Sequence, residues 1–470
     1  MGSIVAKVTI PYERHQHSPH WWMIFIYAFP MQIVWLIYLL ALWPGLMSPD
    51  SVGQWNDALV GPITDVHPAF HTLLIRLIAM IRPTPALIAL AQIASLSLVA
   101  GSVLVKFERL GVQRWILGLC AGLFALSPVN SLMVNAIWKD IPYSIAFLGL
   151  MLLLLKIILS EGAWLRSTWH ILLIALVAFC VAIFRHNGPP GSFGLLLLLP
   201  LAFRKYAWQA LASLGIALAV WLGIRGPVYT WLKVDRSNNF FIYNLELFQI
   251  AAHFNNGTKI DESEAAFLAN ILPLENFKNY NCHSNGTLLY DPELNHAFAA
   301  AHRMELHKVF IQISLRQPFV NLKHLICTSS VIWKVFDDPR FLATIPVYNY
   351  DGHWSTIYYA YNRLNVSFSP KLPWLTQPLL TFVADTDDPG WVWLIWRPAI
   401  YLYLSITIIL LAAWRSQINK LWLLLIPILI HSVILILSIV TPDFRFQYPI
   451  YLFTFLFWPL LLLKPVKHTG

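Results

Sequence analysis

Long apolar segments without charged residues constrain this chain more than any other feature. Residues 171–181 are apolar throughout, and residues 421–439 contain no Asp, Glu, Lys or Arg. Only 12% of the 470 residues are charged and 58% are hydrophobic, whereas an ordinary soluble domain carries about 25% charged residues. So few charges cannot solvate a globular surface. A soluble enzyme is therefore excluded, and lipid must be the solvent of most of this chain.

Helices are the predicted spanning elements, because an outer-membrane barrel would show alternating segments of about ten residues instead of continuous apolar runs. A window of about 17–25 apolar residues is long enough for a helix to cross a bilayer. Ten such spans are predicted, which makes this an all-α polytopic membrane protein. They lie at 21–43, 84–105, 113–128, 141–159, 168–184, 189–203, 207–225, 391–413, 420–440 and 445–463.

Two further helices are predicted to lie along the membrane surface within residues 50–82. Val52, Trp55 and Leu59 recur on one face of the first, with polar side chains between them, which is typical of an amphipathic helix. The following stretch, 68–82, is apolar but short and carries two arginines. It therefore suits the interface better than a full span.

Basic residues predict the orientation of the spans. Lys7 and Arg14 precede the first span and no small-residue cleavage site follows it, so it is interpreted as an uncleaved anchor with a cytoplasmic N-terminus. Every alternate connection is then basic, and Lys464 and Lys467 follow the last span, as the positive-inside rule requires. Both termini are thus predicted to be cytoplasmic. The net charge of +9 is attributed to this topology and not to nucleic-acid binding.

The opposite, outer side receives one long polar segment, 226–390, which is large enough to fold as an ectodomain of mixed or helical structure. The chain is therefore divided into an N-terminal transmembrane module (1–225), this ectodomain, and C-terminal transmembrane helices (391–470). Cys282 and Cys327 lie in the ectodomain. They are either a disulfide or two unrelated thiols, because the sequence does not give the distance between their Cα atoms.

Asp50 is the first candidate for chemistry. It follows Ser48 and Pro49, and this pattern begins a helix with a side-chain cap and a first-turn proline. The same pattern places a carboxylate at the membrane surface, where it can accept a proton from a substrate hydroxyl. Both interpretations can hold together.

Asp65 and His67 open the second interfacial helix and are either ordinary helix-start residues or contacts to substrate. His71 lies four residues beyond His67 on the same helical face, and such a pair can ligate a metal. No acidic ligand stands beside the pair in a recognisable helical motif. A metal is therefore not expected, although Asp140 with Asp50 or His67 offers ligands for one.

Three outer connections each carry a cation. Lys139 stands beside Asp140 where a span begins, Arg185 precedes His186, and Arg445 starts the last span. Ionisable groups at membrane depth are costly and often mark function, although interfacial anchoring also explains them. A carboxylate base together with cations that bind an anion suits transfer of a group from a phosphate leaving group to a hydroxyl.

The order and common side of these motifs resemble the GT-C class of polytopic glycosyltransferases, which take a sugar from a polyprenyl-phosphate carrier on the outer face of the membrane. Asp50 matches the acidic residue of the first outer loop in that class. His67-Pro68 resembles its H/K-P-P motif, with Ala69 in place of the second proline. Residues 138–140, 185–188 and 445–449 resemble the acidic second outer loop, the R-p-n-g segment and the late R-Y-x-x-P segment.

The resemblance covers residues 20–225 and 391–465, and within the class the stretch 48–71 is most similar to serotype-converting O-antigen glucosyltransferases of bacteria or phages. It implies inverting transfer of a sugar, glucose in that subgroup, from polyprenyl phosphate to a hydroxyl of a lipid-linked glycan such as O-antigen. The implied location is the periplasmic face of a bacterial inner membrane. No cofactor is implied, because a monophosphate donor reduces the need for a metal.

Within that mechanism Asp50 is the implied catalytic base. The substrate- or phosphate-binding residues are Asp65, His67, Lys139, Asp140, Arg185, His186 and Arg445, of which Arg445, Arg185 or Lys139 would stabilise the departing phosphate. Aromatic residues of the ectodomain are candidates for stacking on sugar rings, although core packing explains them equally. They include Trp333, Tyr348, Tyr350 and Trp354.

Three other functions remain open from sequence alone. A glycan polymerase or ligase would use similar outer residues but act on diphosphate-linked substrates. A transporter or flippase would move a lipid-linked glycan without a covalent product, and a membrane scaffold would tolerate loss of Asp50. Three Asn-x-Ser/Thr sequons, at 256–258, 285–287 and 365–367, also leave a eukaryotic lumenal location open.

Overall fold

The computed structural model describes residues 20–236, 240–284, 286–336, 368–386, 388–440 and 442–465. Within these ranges the chain is helical, and β-structure is limited to three isolated bridges. The N-terminal helices are α1 Met23–Ala41, α2 Pro49–Leu59, α3 Ala69–Ala79, α4 Pro85–Arg109, α5 Arg114–Leu126, α6 Pro128–Met133, α7 Asp140–Leu159, α8 Thr168–Phe184, α9 Pro189–Ala202, α10 Ala207–Gly223 and α11 Tyr229–Trp231.

The remaining helices form the ectodomain and the C-terminal part. They are α12 Phe240–Asn255, α13 Glu262–Ala269, α14 Gly286–Leu289, α15 His296–Ala301, α16 Arg303–Arg316, α17 Pro318–Thr328, α18 Ser330–Trp333, α19 Pro373–Asp385, α20 Val392–Ile395, α21 Pro398–Ser416, α22 Leu425–Ser438 and α23 Tyr448–Phe457. Shorter 3₁₀ segments lie at Ala163–Arg166, Arg204–Tyr206, Asn276–Asn279, Leu421–Leu424, Phe444–Gln447 and Trp458–Leu462, and a π-helical turn, Ile224–Val228, joins α10 to α11.

Six helical stretches are long and apolar enough to cross a membrane, so the prediction of an all-α membrane protein is confirmed. They are Met23–Ala41, Pro85–Arg109, Asp140–Leu159, Arg204–Trp231, Pro398–Ser416 and Leu421–Ser438. The other four predicted spans correspond to shorter helices, α5, α8, α9 and α23. The count of ten spans therefore remains a prediction.

Proline decides where several helices begin. Pro85, Pro189 and Pro398 stand in the first turns of α4, α9 and α21, where the missing N–H would have had no intrahelical partner. A residue before proline also favours extended backbone, and Arg397 adopts it. For this reason α21 begins at Pro398, later than the span predicted at 391–413.

The transmembrane helices pack around α7, which is mostly buried and contacts α4, α8 and α23. Helix α1 packs closely against α4, where a Cβ atom on Gly101 would lie 2.5 Å from the backbone oxygen of Ile24. A small residue at such a crossing lets two helix backbones approach. This packing brings the ectodomain-side ends of α2, α7 and α23 together, as the ion pairs between them show.

Helices α2 and α3, in the predicted juxtamembrane region, pack against each other. Gln54 Nε2 donates a hydrogen bond to Thr72 Oγ1 at 3.0 Å, and Arg76 Nε donates to the backbone oxygen of Ala58 at 2.6 Å. These polar contacts fix the two short helices to each other. That they lie along the membrane surface remains a prediction.

The ectodomain has a hydrophobic core of its own, formed by α12 to α16 and the segments between them. Its buried side chains include Leu247, Phe248, Leu268, Ile271, Phe277, Leu306 and Ile313. In the described residues the ectodomain is helical, one of the two structures expected. Cys282 and Cys327 form a disulfide, with their Cα atoms 5.8 Å apart, which resolves the alternative left open by the sequence.

Candidate active site

Asp50 lies in the first turn of α2, and local sequence places it there. Ser48 Oγ accepts a hydrogen bond from the backbone nitrogen of Ser51 at 3.3 Å, and Pro49 occupies the first turn. The N-terminal end of a helix also favours a negative charge. Ser48 Oγ in addition accepts a hydrogen bond from Trp138 Nε1 at 2.7 Å, which joins this cap to the segment before α7.

Two backbone hydrogen bonds strengthen that junction. The nitrogen of Leu46 donates to the oxygen of Asn135 at 2.9 Å, and the nitrogen of Ile137 donates to the oxygen of Leu46 at 3.0 Å. The segments that precede α2 and α7 therefore run side by side. This arrangement brings Lys139 next to Asp50.

Asp50 is surrounded by three of the predicted residues. Arg445 Nη1 donates to Asp50 Oδ2 at 2.9 Å, Lys139 Nζ lies 3.7 Å from the same oxygen, and His67 Nε2 lies 3.7 Å from Oδ1. The side chain of Asp50 keeps 28% of its surface exposed, whereas Lys139 and Arg445 keep 14% and 13%. The carboxylate is thus held by charges but remains reachable from outside.

Burial and the neighbouring charges together decide which groups of this cluster are ionised. Burial alone would raise the pKa of Asp50, but Arg445 and Lys139 hold it well below its usual range. Burial lowers the pKa of His67 to about 3, so its ring is neutral at pH 7. Lys139 Nζ lies 3.2 Å from His67 Nδ1. We therefore assign His67 Nδ1 as the acceptor from Lys139 and place its proton on Nε2, toward Asp50.

Asp140 and Arg185 form a second, more deeply buried group of charges next to this cluster. Asp140 is fully buried, its Oδ1 lies 3.3 Å from Arg185 Nη1, and its Oδ2 lies 4.0 Å from Arg445 Nε. Arg185 Nη1 also donates to the backbone oxygen of Phe446 at 3.3 Å. Asp140 is buried and its charge is balanced by the two neighbouring arginines. It is therefore suited to orient Arg185 and Arg445 rather than to contact a substrate directly.

Arg445 connects the cluster around Asp50 with the buried Asp140. Asp443 Oδ1 accepts from the backbone nitrogen of Arg445 at 3.0 Å, and Asp443 Oδ2 lies 2.9 Å from its Nε. The guanidinium carbon lies 4.8 Å from the ring centre of Trp138 and 5.1 Å from that of Phe446. Contacts on its edge and its faces fix the plane of this guanidinium.

A neighbouring cluster contains Asp65, His186 and Arg225. Arg225 Nη2 donates to Asp65 Oδ2 at 2.7 Å, Arg225 Nη1 lies 3.3 Å from His186 Nδ1, and His186 Nε2 lies 3.1 Å from the backbone oxygen of Asp65. Asp65 Oδ1 also accepts from the backbone nitrogen of Ala69 at 3.0 Å. This cluster fixes the loop that carries His67.

All eight predicted site residues therefore occupy two neighbouring clusters. Asp50, His67, Lys139 and Arg445 are in direct contact, with Asp140 and Arg185 behind them, while Asp65 and His186 hold the loop beside them. Whether these residues bind substrate remains a prediction.

Sequence reasoning missed Asp443 and Arg225. Arg225 ends the span predicted at 207–225, on the side predicted to be opposite to the basic connections. A cation on that side is the same signal that identified Arg185. It lies in a π-helical turn, a feature that often marks functional positions.

Tyr290 of the ectodomain is another residue that the sequence did not single out. It follows α14, its side chain is 78% exposed, and burial together with the charge of Asp50 raises its pKa, with Arg445 opposing. The charges of Asp50 and Arg445 both act on its phenol, so Tyr290 lies in the neighbourhood of these two residues. No motif marks this position in the sequence.

Of the predicted stacking residues, Trp333 lies at the end of α18 and donates from Nε1 to the backbone oxygen of Ile326 at 3.1 Å. Tyr348, Tyr350 and Trp354 lie outside the described residues.

In the part of the chain that the structure describes, side chains of the kinds that bind metals come together in the ectodomain and not at His67 and His71. Among the described residues, three such side chains come together at Cys282, His283 and Cys327, and there the two cysteines are joined in the disulfide. His71 Nδ1 instead contacts Gln54 Oε1 at 3.2 Å. Within the described ranges, His67 and His71 do not belong to a group of three or more such side chains.

A cavity of about 770 Å³ lies between α5, α21 and α23. Its lining is almost entirely apolar and includes Leu123, Leu404 and Phe455. Tyr451, whose hydroxyl lies 2.6 Å from that of Ser127, also lines it and belongs to the helix that directly follows Arg445. The cavity is therefore an apolar space that is lined in part by the helix following Arg445.

No family model, curated protein or solved structure matches this chain.

Proposed function

We propose that this protein is a GT-C-type glycosyltransferase of a bacterial inner membrane. It transfers a sugar, glucose, from a polyprenyl-phosphate carrier to a hydroxyl of a lipid-linked glycan such as O-antigen, at the periplasmic face. The observation that carries the proposal is the partly exposed carboxylate of Asp50 held between Arg445 and Lys139. This arrangement puts a base and two anion-binding cations at one point.

The reaction is a single displacement at the anomeric carbon. The acceptor oxygen forms a bond to this carbon while its proton passes to Asp50, which acts as general base. The bond between the anomeric carbon and the phosphate oxygen breaks on the opposite side, and its electron pair leaves with the phosphate. The configuration is inverted, and no general acid is needed because phosphate is a competent leaving group.

The ion pairs of Asp50 supply the link between donor binding and base strength. In the unliganded site Arg445 and Lys139 neutralise the carboxylate, which makes it a weak base. An anionic donor phosphate competes for the same two cations, with Arg445 able to offer parallel hydrogen bonds and Lys139 a point charge. Their partial withdrawal raises the pKa of Asp50, so the base gains strength when donor is bound.

The apolar cavity supports a donor that carries a long hydrocarbon chain. A ligand with one phosphate and a lipid tail needs charged groups for the first and apolar space for the second. The cavity between α5, α21 and α23 lies beside the helix that follows Arg445. Its position suits the tail of a donor whose phosphate contacts Arg445.

The test is sugar transfer by the purified protein, with Asp50→Asn as the decisive variant. The protein in detergent is incubated with polyprenyl-phosphate glucose and a lipid-linked oligosaccharide, and the acceptor is analysed by mass spectrometry. Asp57→Asn is the matched control, because Asp57 lies on the same helix and accepts a hydrogen bond from Thr64 Oγ1 at 2.9 Å. Size-exclusion profiles and melting temperatures establish that each variant is folded.

Addition of one hexose by the wild type and by Asp57→Asn, with loss in folded Asp50→Asn, is expected. Equal transfer by folded Asp50→Asn would overturn the role of Asp50. Transfer only from diphosphate-linked donors would establish a polymerase or ligase instead, and movement of a lipid-linked glycan across vesicles without a product would establish a flippase.

A further inference from the structure

Helix α17 has two different faces, and only one of them is used by the ectodomain. Val320, His324 and Thr328 recur at every fourth position and are buried. The hydroxyl of Tyr280 and Nδ1 of His324 form a hydrogen bond of 2.9 Å, which holds this face against the rest of the ectodomain. The buried face of α17 therefore already packs against the ectodomain.

The outer face of α17 is apolar and exposed. Phe319, Leu322 and Ile326 are 74%, 51% and 46% exposed, and Leu315 at the end of α16 is 75% exposed. Phe319, Leu322 and Ile326 are spaced three and four residues apart, which places them on one side of α17, and Leu315 precedes them on α16. We call these four residues the apolar stripe. Large apolar side chains that share one exposed face mark an interaction surface, whereas scattered ones do not.

The position of α17 indicates what the apolar stripe contacts. Helix α17 contacts α22, and α18 contacts α21, and both partners are membrane-span candidates. Tyr403 of α21 donates from its hydroxyl to the backbone oxygen of Trp333 at 2.5 Å, and Arg397 Nε donates to that of Lys334 at 3.1 Å. The chain from α17 to Lys334 thus lies at the ectodomain-side ends of the spans.

The apolar stripe therefore adjoins a surface that already faces lipid. Helix α22 ends just before the Arg445 segment, and Val433 and Leu437 in its last turns are 51% and 58% exposed. In a membrane-spanning helix such exposed apolar residues contact acyl chains. A helix that packs against α22 and leads to Lys334, which is bonded to Arg397 at the start of α21, has its exposed face at the boundary between acyl chains and headgroups.

We propose that α17 is an interfacial helix whose apolar stripe is inserted into the lipid leaflet on the ectodomain side. The partner is the membrane lipid itself. Exposed Lys323, next to Leu322, extends its amine toward headgroup phosphates while its stem stays among apolar groups. This surface is independent of the reaction proposed for Asp50.

The insertion has a consequence for the rest of the ectodomain. The Cys282–Cys327 disulfide ties the last turn of α17 to the segment before α14, and Tyr280 bonds to His324. Tyr290 follows α14 directly. A lipid-anchored α17 therefore fixes the height of this segment above the membrane and hence the position of Tyr290 relative to Asp50.

Site-specific photolabelling in lipid nanodiscs tests the insertion without relying on enzymatic activity. A diazirine-bearing amino acid replaces Leu322 or Ile326 in the full-length protein, and adducts are identified by mass spectrometry after illumination. Glu262 in the first turn of α13, exposed and charged, is the control position. A diazirine reacts with whatever surrounds it, so lipid, protein and water each leave a distinct product.

Lipid adducts at positions 322 and 326 with water adducts at 262 are expected. Water adducts at 322 and 326 would overturn the proposal, because the stripe would then be solvated. Cross-links to residues 337–367 or to a second protein would overturn it as well, because protein and not lipid would cover the stripe. A replicate with phosphatidylglycerol-rich nanodiscs is expected to increase lipid labelling beside Lys323.

Discussion

Arg445 and Asp50 are in direct contact although 395 positions separate them in the chain, with Nη1 of the guanidinium 2.9 Å from Oδ2 of the carboxylate. The same guanidinium contacts Asp443 at 2.9 Å and approaches Asp140 to 4.0 Å. One cation therefore connects the accessible carboxylate with two buried ones. This connection makes the proposed base sensitive to whatever else binds Arg445.

Replacement of Arg445 by lysine is expected to lower kcat for sugar transfer by about 10²-fold, the usual cost of losing one preorganised charge-stabilising donor. An ammonium group preserves the charge but cannot contact Asp50, Asp443 and a phosphate in one plane. Steady-state kinetics with varied donor measure the effect. Arg114→Lys is the control, because Arg114 is 66% exposed and pairs with Glu108 away from the site. Wild-type kcat in Arg445→Lys would show that a point charge suffices.

The pH dependence of donor binding is expected to report Lys139. Burial lowers the pKa of Lys139, so this amine loses its proton, and with it the attraction for phosphate, at a lower pH than an exposed lysine does. The KM for donor should therefore rise at alkaline pH. Lys139→Arg should move that rise to higher pH, since arginine stays charged. If the KM for donor rises at the same alkaline pH in the wild type and in Lys139→Arg, the rise is due to another group.

The pH profile should also lack an acidic limb from Asp50 in the free enzyme near neutrality. The pKa of Asp50 is held below its usual range, so the carboxylate stays ionised as the pH falls through 6 and 5. A measured kcat/KM that is flat over this range agrees with this expectation. A limb near pH 6 whose midpoint shifts in Asp50→Glu would contradict it, because glutamate keeps a carboxylate at this position but changes its surroundings.

The ion pair between Asp65 and Arg225 is expected to stabilise the loop that carries His67. Asp65 is 3% exposed and Arg225 24%, so removal of Arg225 leaves a buried carboxylate without its cation, which is costly. Arg225→Gln should lower the melting temperature clearly, and Asp65→Asn added to it should recover part of the loss. A double-mutant cycle on melting temperatures measures this coupling. Strictly additive decreases would mean that the pair does not stabilise the loop.

Tyr290 is expected to act on the acceptor and not on the donor. Tyr290 is 78% exposed and is acted on by the charge of Asp50, and an aromatic ring in that neighbourhood can stack on a sugar. Tyr290→Ala should raise the KM for the lipid-linked glycan, while Tyr290→Phe should keep it near the wild-type value. Trp231→Ala is the control, since Trp231 is equally exposed at 79%. A rise in both Tyr290 variants would point to the hydroxyl instead of the ring.

Several features could be predicted because they depend on neighbouring residues only. The helix start at Ser48 to Asp50 requires a capping hydroxyl and a proline, and both are present in the structure. The amphipathic spacing of Val52 and Trp55 likewise predicted a short helix that the structure contains as α2. Span boundaries were less certain, because Pro398 delays α21 and a π-helical turn prolongs α10.

Contacts between distant segments could not be predicted in the same way. The sequence indicated that Asp65 and Arg445 belong to one side of the membrane, but not that Asp65 pairs with Arg225 while Arg445 pairs with Asp50. Such pairs depend on where α3, α10 and α23 cross, and these crossings follow from side-chain packing along whole helices.

The amino-acid sequence by itself determined that this protein is a helical membrane protein, and it singled out ionisable residues in the connections between the apolar runs. Apolar run length, charge spacing and capping residues are local properties, and lipid requires every buried backbone group to be paired within a helix. Only the tertiary structure decided which cations surround Asp50, that Arg225 and Asp443 join them, and that the outer face of α17 is left exposed. These outcomes depend on how helices far apart in the chain pack together.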